Sequence, residues 1–311
     1  MDILTILATF LFLVFAFGYG ACFGSFLNVV VWRLPSKMPI MLARSHCPKC
    51  RQDIWGSDNI PIFGWLRLRG KCRFCQLPIS ARYPLVETGV ALLFAVLFAL
   101  IVIAHGVTLP TDWMHQHRIS WLSEFPGCPL LVVWGDQVVL GYFLLALALV
   151  DEDRQQMPYR WLILGLVVHL GLLLIEPSVG MMDYLSATAG DLAENRGNLP
   201  DAACFSGVGI VCGFAVALLT MLFRLPHQLR NGIQSLLLLG GFLGPAVLVW
   251  CSLIGFSSLI CQWILGRFGK KQGVRTGLSA QLFLAWLLVL MTWRWWPEGN
   301  WLWMQELLPG K

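Results

Sequence analysis

Charge is what this chain has least of. Only 13% of its 311 residues are Asp, Glu, Lys or Arg, while 57% are hydrophobic. From Ala202 through Pro297 there is no Asp or Glu at all. So little charge excludes a soluble globular enzyme, in which about a quarter of residues are charged. A basic leader is also missing: the first apolar run begins at Leu4 behind a single acidic residue, Asp2, and no small-residue cleavage site follows it. That run is expected to be a retained anchor and not a removed signal. No glycine-rich dinucleotide loop of the soluble kind marks a cofactor site.

What the chain does have is a series of apolar stretches, and a bilayer crossing needs about twenty residues. They cover 4–31, 84–104, 128–150, 160–177, 203–224 and 278–296, and 233–264 accommodates two short spans. The expected fold is all-α and polytopic, with about eight transmembrane helices. Its organisation is expected to be a first transmembrane helix in 1–31, a basic zinc-binding loop domain in 32–83, a helical membrane domain in 84–296 and a short tail in 297–311.

The basic residues orient this bundle. Between Arg33 and Tyr83 lie Arg33, Lys37, Arg44, Lys49, Arg51, Arg67, Arg69, Lys71, Arg73 and Arg82, against Asp53 and Asp58 alone. The positive-inside rule puts this loop in the cytoplasm and the N-terminus outside. Counting spans then places the loops at 151–159, 225–232 and 265–277 inside and the acidic loop 178–202 outside. Lys270, Lys271 and Arg275 fall on the inner side, as the rule requires. Ten cations beside a bilayer are a topology signal, so no nucleic-acid partner is expected. The Trp-rich tail, from Trp293 to Trp303, is expected to form an outer aromatic belt.

Inside the basic loop sit Cys47-Pro48-Lys49-Cys50 and Cys72-Arg73-Phe74-Cys75. Each C-x-x-C places two thiolates on a tight turn, and two facing turns complete the closed tetrahedral shell of a structural Zn²⁺. A reducing cytoplasm favours the metal over two disulfides. The remaining cysteines, Cys22, Cys128, Cys204, Cys212, Cys251 and Cys261, are scattered through mostly apolar runs and are expected to be inert. Trp55, Phe63, Trp65 and Phe74 are expected to fold the knuckle, and glycines such as Gly207, Gly209, Gly213, Gly240, Gly241 and Gly244 to let helices approach closely. His169 and His227 stand isolated in the sequence.

Several segments together carry a resemblance. Gly24-Ser25-Phe26-Leu27-Asn28-Val29 leads to Arg33-Leu34-Pro35; then come the first thiolate pair, Asn59-Ile60-Pro61-Ile62, Leu68-Arg69-Gly70-Lys71-Cys72-Arg73 and Arg82-Tyr83-Pro84-Leu85-Val86-Glu87. Over residues 20–90 the chain resembles bacterial type IV prepilin leader peptidases. The resemblance implies an inner-membrane aspartic peptidase that cuts, on the cytoplasmic side, the leader of type IV prepilins or type II secretion pseudopilins. It also implies that S-adenosylmethionine could serve an N-methylation step.

Such a peptidase needs two carboxylates that share a proton, one acting as base on water and the other as acid. Asp151, followed by Met157-Pro158, stands where the resemblance implies the first; Tyr159 replaces a further Asp of that pattern. The second is missing. Counting back from Leu239-Gly240-Gly241-Phe242-Leu243-Gly244 puts the second Asp position on Gly232 and a Lys position on Gln234. Asp153, in the same loop as Asp151, and Glu87, at the inner end of the second span, are the substitutes in reach. Asp136 lies ~22 Å from Asp151 along the same helix, too far to pair. The alternatives are a degenerate member that binds or methylates prepilins or assists an intact paralogue, and a membrane scaffold whose basic loop docks a cytoplasmic partner or lipid headgroups.

Overall fold

The computed structural model describes residues 3–40, 45–104, 128–176, 199–222, 229–268 and 277–292. The long outer segments expected near 105–127 and within 178–198, and the Trp-rich tail, lie outside the described residues. Long helices carry nearly all of the rest: α1 (Ile3–Arg33), α3 (Arg82–Leu97), α4 (Cys128–Glu152), α5 (Tyr159–Ile175), α6 (Leu199–Leu222), α7 (Leu229–Phe268) and α8 (Leu278–Thr292). A short helix, α2 (Phe63–Arg67), lies in the loop between α1 and α3.

The helices follow from the sequence. Apolar runs must satisfy every backbone N–H and C=O internally once water is gone, and a helix does so within one segment. Prolines punctuate the starts: Pro84, Pro129 and Pro200 fall in the first turns of α3, α4 and α6, and Pro158 immediately precedes α5. There a missing N–H costs no helical hydrogen bond. Helical stretches Ile6–Arg33, Arg82–Ile103 and Leu130–Glu152 are each long and apolar enough to cross a membrane. The outward faces are apolar as well: Phe10, Phe15, Leu85, Ile163, Val211 and Ile260 are exposed. Such a surface suits lipid and not water.

The two short spans expected in 233–264 are realised by a break. Gly244 (φ 73°, ψ 179°) interrupts α7 in the left-handed region that glycine alone enters freely. Asn231, near the start of α7, hydrogen-bonds Asp151 at the end of α4, and Ser279, at the start of α8, does so too. Gly244 is thirteen residues, or ~20 Å, beyond Asn231. Yet Gly255 packs beside Gln281 and Leu282, less than one turn above Ser279. Eleven residues after the break the chain has therefore descended ~16 Å toward the level it left, and α7 is a hairpin of two helices.

Among the described residues, the starts of α3, α7 and α8 and the end of α4 meet at one end of the bundle. Arg82, at the start of α3, donates to Asp153 Oδ1 (2.5 Å) and to the Leu149 carbonyl (3.1 Å) of the α4 terminus. The starts of α7 and α8 join them through Asp151.

Small residues set the closest crossings. Gly20 and Gly24, one turn apart on α1, lie against α3, where a Cβ on Gly24 would stand 2.6 Å from the Glu87 Cα. On α6, a Cβ on Gly209 would run into the Gly240 carbonyl of α7, and one on Gly240 into that of Gly209. Backbone cannot retreat as a side chain can, so Gly209→Val is expected to cost on the order of 2 kcal/mol and to lower the thermal midpoint in detergent micelles by about 4 °C or more. A light-scattering or fluorescence melt checks it, and an unchanged midpoint would contradict this packing.

Candidate active site and metal centre

The loop between α1 and α3 folds as two similar knuckles. In the first, Cys47 N–H donates to the Gln52 carbonyl (3.0 Å) and Arg51 N–H to the Cys47 carbonyl (2.9 Å); in the second, Cys72 and Leu77, and Gln76 and Cys72, repeat the pattern at 2.8 and 3.1 Å. Arg51 (φ 56°) and Gln76 (φ 58°) take the left-handed turn that closes each. The four sulfurs lie within 4.8 Å of one another, with Cys47–Cys75 at 3.7 Å and Cys50–Cys72 at 3.9 Å. A tetrahedron of thiolates around zinc, at Zn–S of about 2.3 Å, has edges of about 3.8 Å. The donor set and spacing fit such an ion.

Charge on the sulfurs is prepared by backbone. The N–H groups of Cys50 and Lys49 hold the Cys47 thiol down at about 6, and those of Cys75 and Phe74 lower Cys72. The Gln52 N–H acts on Cys50 in the same sense, but burial and the neighbouring sulfurs raise it overall to about 11. A bound cation would relieve that repulsion.

Of the aromatic residues expected to fold the knuckle, Trp55, Trp65 and Phe74 make contacts there, while Phe63 is exposed. Trp55 meets Phe74 edge to face at 6.0 Å, Arg73 lies 4.7 Å over the Trp55 ring, and Trp65 Nε1 donates to the Ile79 carbonyl (3.0 Å). Asp58, its side chain almost inaccessible, accepts from Arg73 and Arg67, which hold it down at about 2 despite burial. Glu87 ties this loop to the bundle: its Oε2 accepts the Ile62 N–H at 2.6 Å, and Ile62 is held at φ 64°, costly for a β-branched residue.

The carboxylate expected at the inner end of α4 is enclosed. Asp151 is 1% exposed. Its Oδ1 accepts Asn231 Nδ2 at 2.5 Å, its Oδ2 accepts the Ser279 N–H at 3.3 Å, and Gly277 lies so close that a Cβ there would sit 2.8 Å from Oδ2. Beneath it the chain leaves α4 through Arg154 (φ 54°), whose N–H returns to the Asp151 carbonyl (3.0 Å).

The start of α7 grips the loop that follows. Asn231 also donates to the Gln155 carbonyl (2.8 Å) and accepts the Met157 N–H (2.8 Å), and Gln234, one turn on, donates to the Met157 carbonyl (2.8 Å). Gln234 Oε1 is buried and has no partner among the described residues. Arg230 stacks on Tyr159 at 4.4 Å and reaches Gln156.

The α7 residue that faces Asp151 is Asn231 and not Gly232: Gly232 points at α8, where an added Cβ would meet Leu278 Cδ2 at 2.6 Å. Helical rotation of 100° per residue separates the two directions, so counting along the motif cannot choose between them. Neither proposed substitute pairs with Asp151. Asp153 is bound to Arg82 and Glu87 to Ile62.

A second polar cluster went unread in the sequence. His169 is not isolated: its Nδ1 lies 2.7 Å from Asp136 Oδ1 and its Nε2 lies 3.3 Å from Ser206 Oγ. Asp136 (α4), His169 (α5) and Ser206 (α6) come from three helices, so only a tertiary fold unites them.

A helical membrane protein with a four-thiolate cluster in the loop between α1 and α3, and a buried carboxylate where three helix ends meet, is the class these features define. The profile of the bacterial peptidase A24 N-terminal domain matches residues 19–101. A type 4 prepilin-like proteins leader peptide-processing enzyme of Escherichia coli O78:H11 is 30% identical over 238 residues, covering 65% of this chain and 82% of that protein. A prepilin leader peptidase/N-methyltransferase of Pseudomonas putida is 28% identical over 307 residues, covering 90% of each. One from Myxococcus xanthus is 38% identical over 162 residues, 52% of this chain and 40% of that protein. No solved structure matches. The chain belongs to the prepilin leader peptidase family.

Proposed function

We propose that this protein recognises type IV prepilin or pseudopilin precursors at the inner face of the bacterial inner membrane, with Asp151 at the scissile bond and Asn231 opposite it. The observation that carries this reading is the enclosure of Asp151 by the starts of α7 and α8, a preorganised carboxylate at the membrane edge. The names of its relatives supply the substrate class. The zinc-type loop faces the cytoplasm, where its cations set the topology, and Cys47, Cys50, Cys72 and Cys75 hold Zn²⁺ as a structural ion.

Peptide hydrolysis at such a site needs a base to activate water and an acid to protonate the leaving amine. Asp151 supplies the base. The Asn231 amide can orient the scissile carbonyl or the water through its N–H, but it has no acidic proton to give. Cleavage is therefore slow, and binding of the leader persists. Should the chain methylate the new N-terminus, S-adenosylmethionine would be the donor.

Co-expression with prepilin precursors in a host without its own peptidase tests this. Wild type is expected to process slowly, and Asp151→Ala not at all, while both retain precursor in co-purification. Equal processing by the two, or no retention by either, would overturn the reading.

A further inference from the structure

The apolar interior contains ionisable groups that the site at Asp151 does not use. Asp136 and His169 are 0% and 1% exposed and Ser206 is 7% exposed. Such groups are costly within a bilayer and mark function by default. Their arrangement is specific. With Asp136 ionised, its carboxylate accepts the His169 Nδ1 proton, and Nε2 is left to accept the Ser206 hydroxyl. Phe242 stacks on the imidazole at 4.1 Å and holds its plane. Gln137 Nε2 lies 3.5 Å from the other Asp136 oxygen, and Gln137 Oε1 accepts Trp286 Nε1 at 3.3 Å. A nucleophile within reach of a base, and a base oriented by a third group, is the geometric signature of an activated serine.

The break in α7 lies beside this cluster. Ser206 and Gly209 are three residues apart on one face of α6, and a Cβ on Gly209 would stand 3.0 Å from the Gly244 Cα. Past Gly244 a new helix begins with Pro245, which has no N–H, and the N–H groups that follow it in the first turn have no partner within that helix. Donors of this kind stabilise a developing oxyanion. Counting along the helices puts Asp136 ~22 Å above Asp151 and Gly244 ~20 Å above Asn231, so the cluster and the break share one level, remote from the inner face. Ile175 ends α5 six residues beyond His169, ~9 Å farther out.

We propose that Ser206, His169 and Asp136 form a second hydrolytic site, in the outer half of the bundle, whose substrate is an uncharged carboxylic ester reaching it from the lipid phase. Charge would be desolvated among these helices, which selects a neutral substrate. Ser206 Oγ bonds to the carbonyl carbon as its proton passes to His169 Nε2. The ester C–O bond then breaks and the alcohol leaves with that proton. Water repeats the sequence on the acyl-serine, releasing the carboxylic acid and restoring Ser206.

A fluorophosphonate probe, which phosphonylates activated serines, tests the proposal on the full chain in micelles. Peptide mapping by mass spectrometry of the wild-type chain is expected to place the label on Ser206, with labelling lost in His169→Gln and slowed by at least about 100-fold in Asp136→Asn. An unlabelled Ser206 in the folded wild-type chain overturns the proposal without recourse to any variant. So does a label on Ser206 that forms at the wild-type rate in His169→Gln. The readout involves no prepilin and is therefore independent of the function assigned to Asp151.

Discussion

Asn231→Asp is expected to raise prepilin cleavage at least about 100-fold over wild type, because a positioned acid contributes about 10² to 10⁴ to such a reaction. The substitution keeps every heavy-atom position. Its Oδ1 still accepts the Met157 N–H, the atom 2.5 Å from Asp151 Oδ1 becomes an oxygen, and the hydrogen bond to the Gln155 carbonyl is given up. That separation suits O–H···O⁻, whose usual range is about 2.5–2.7 Å, better than an amide N–H. Two carboxyls so close cannot both ionise, so they share a proton at neutral pH, as the reaction needs. Gly232→Asp is the contrasting variant. Its Cβ would press on Leu278, and the carboxylate would face α8 rather than Asp151. Gel mobility of co-expressed precursor distinguishes them: gain with Asn231→Asp alone fixes Asn231 as the residue opposite Asp151, whereas gain with Gly232→Asp alone refutes that pairing. In either background Asp151→Ala should return activity to nothing.

Cys72→Ser is expected to remove about one zinc equivalent per chain and unfold the loop between α1 and α3. Structural zinc contributes apparent binding free energies of about 10–16 kcal/mol in small domains, and in them binding and folding are one equilibrium. The loop has little else to hold it: one buried carboxylate, Asp58, a few aromatic contacts and the Glu87 tie. Elemental analysis and limited proteolysis read out both losses, and full metal content in the variant would refute the four-thiolate centre.

Acid gives an independent check on the same centre. Ligand sulfurs must be deprotonated, so protons compete with the metal and it should leave as pH falls. Asp58 behaves differently. Its carboxyl is depressed from an ordinary 3.8 to about 2, so its ion pairs stabilise fully above the ordinary value and are lost only as pH falls from about 4 toward 2. Metal release with a midpoint above pH 4 therefore reports the sulfurs and not Asp58.

The spans and the thiolate centre were legible because each is written locally. A bilayer crossing is a run of apolar residues, and a knuckle is a pair of cysteines separated by two residues. Even the α7 hairpin showed itself as an apolar stretch too long for one crossing and too short for two full ones. The partner of Asp151 was not legible to the residue. Motif counting fixes position along the chain, while the facing direction depends on helix phase, and one residue of phase exchanges Asn231 for Gly232. The Asp136–His169–Ser206 cluster was less legible still. Its members are separated by more than thirty residues each and lie in three apolar runs, so only packing could reveal it.

The junction at Asp151 also has a consequence in time. Ser279 follows Asp151 by 128 residues. At about 5–20 residues per second, a ribosome needs roughly 6–25 seconds to add them. Throughout that interval the nascent chain carries its carboxylate without α8 to enclose it. The site comes into being only when α8 has been inserted, so a chain that stops short of α8 would be assembled, anchored and inert.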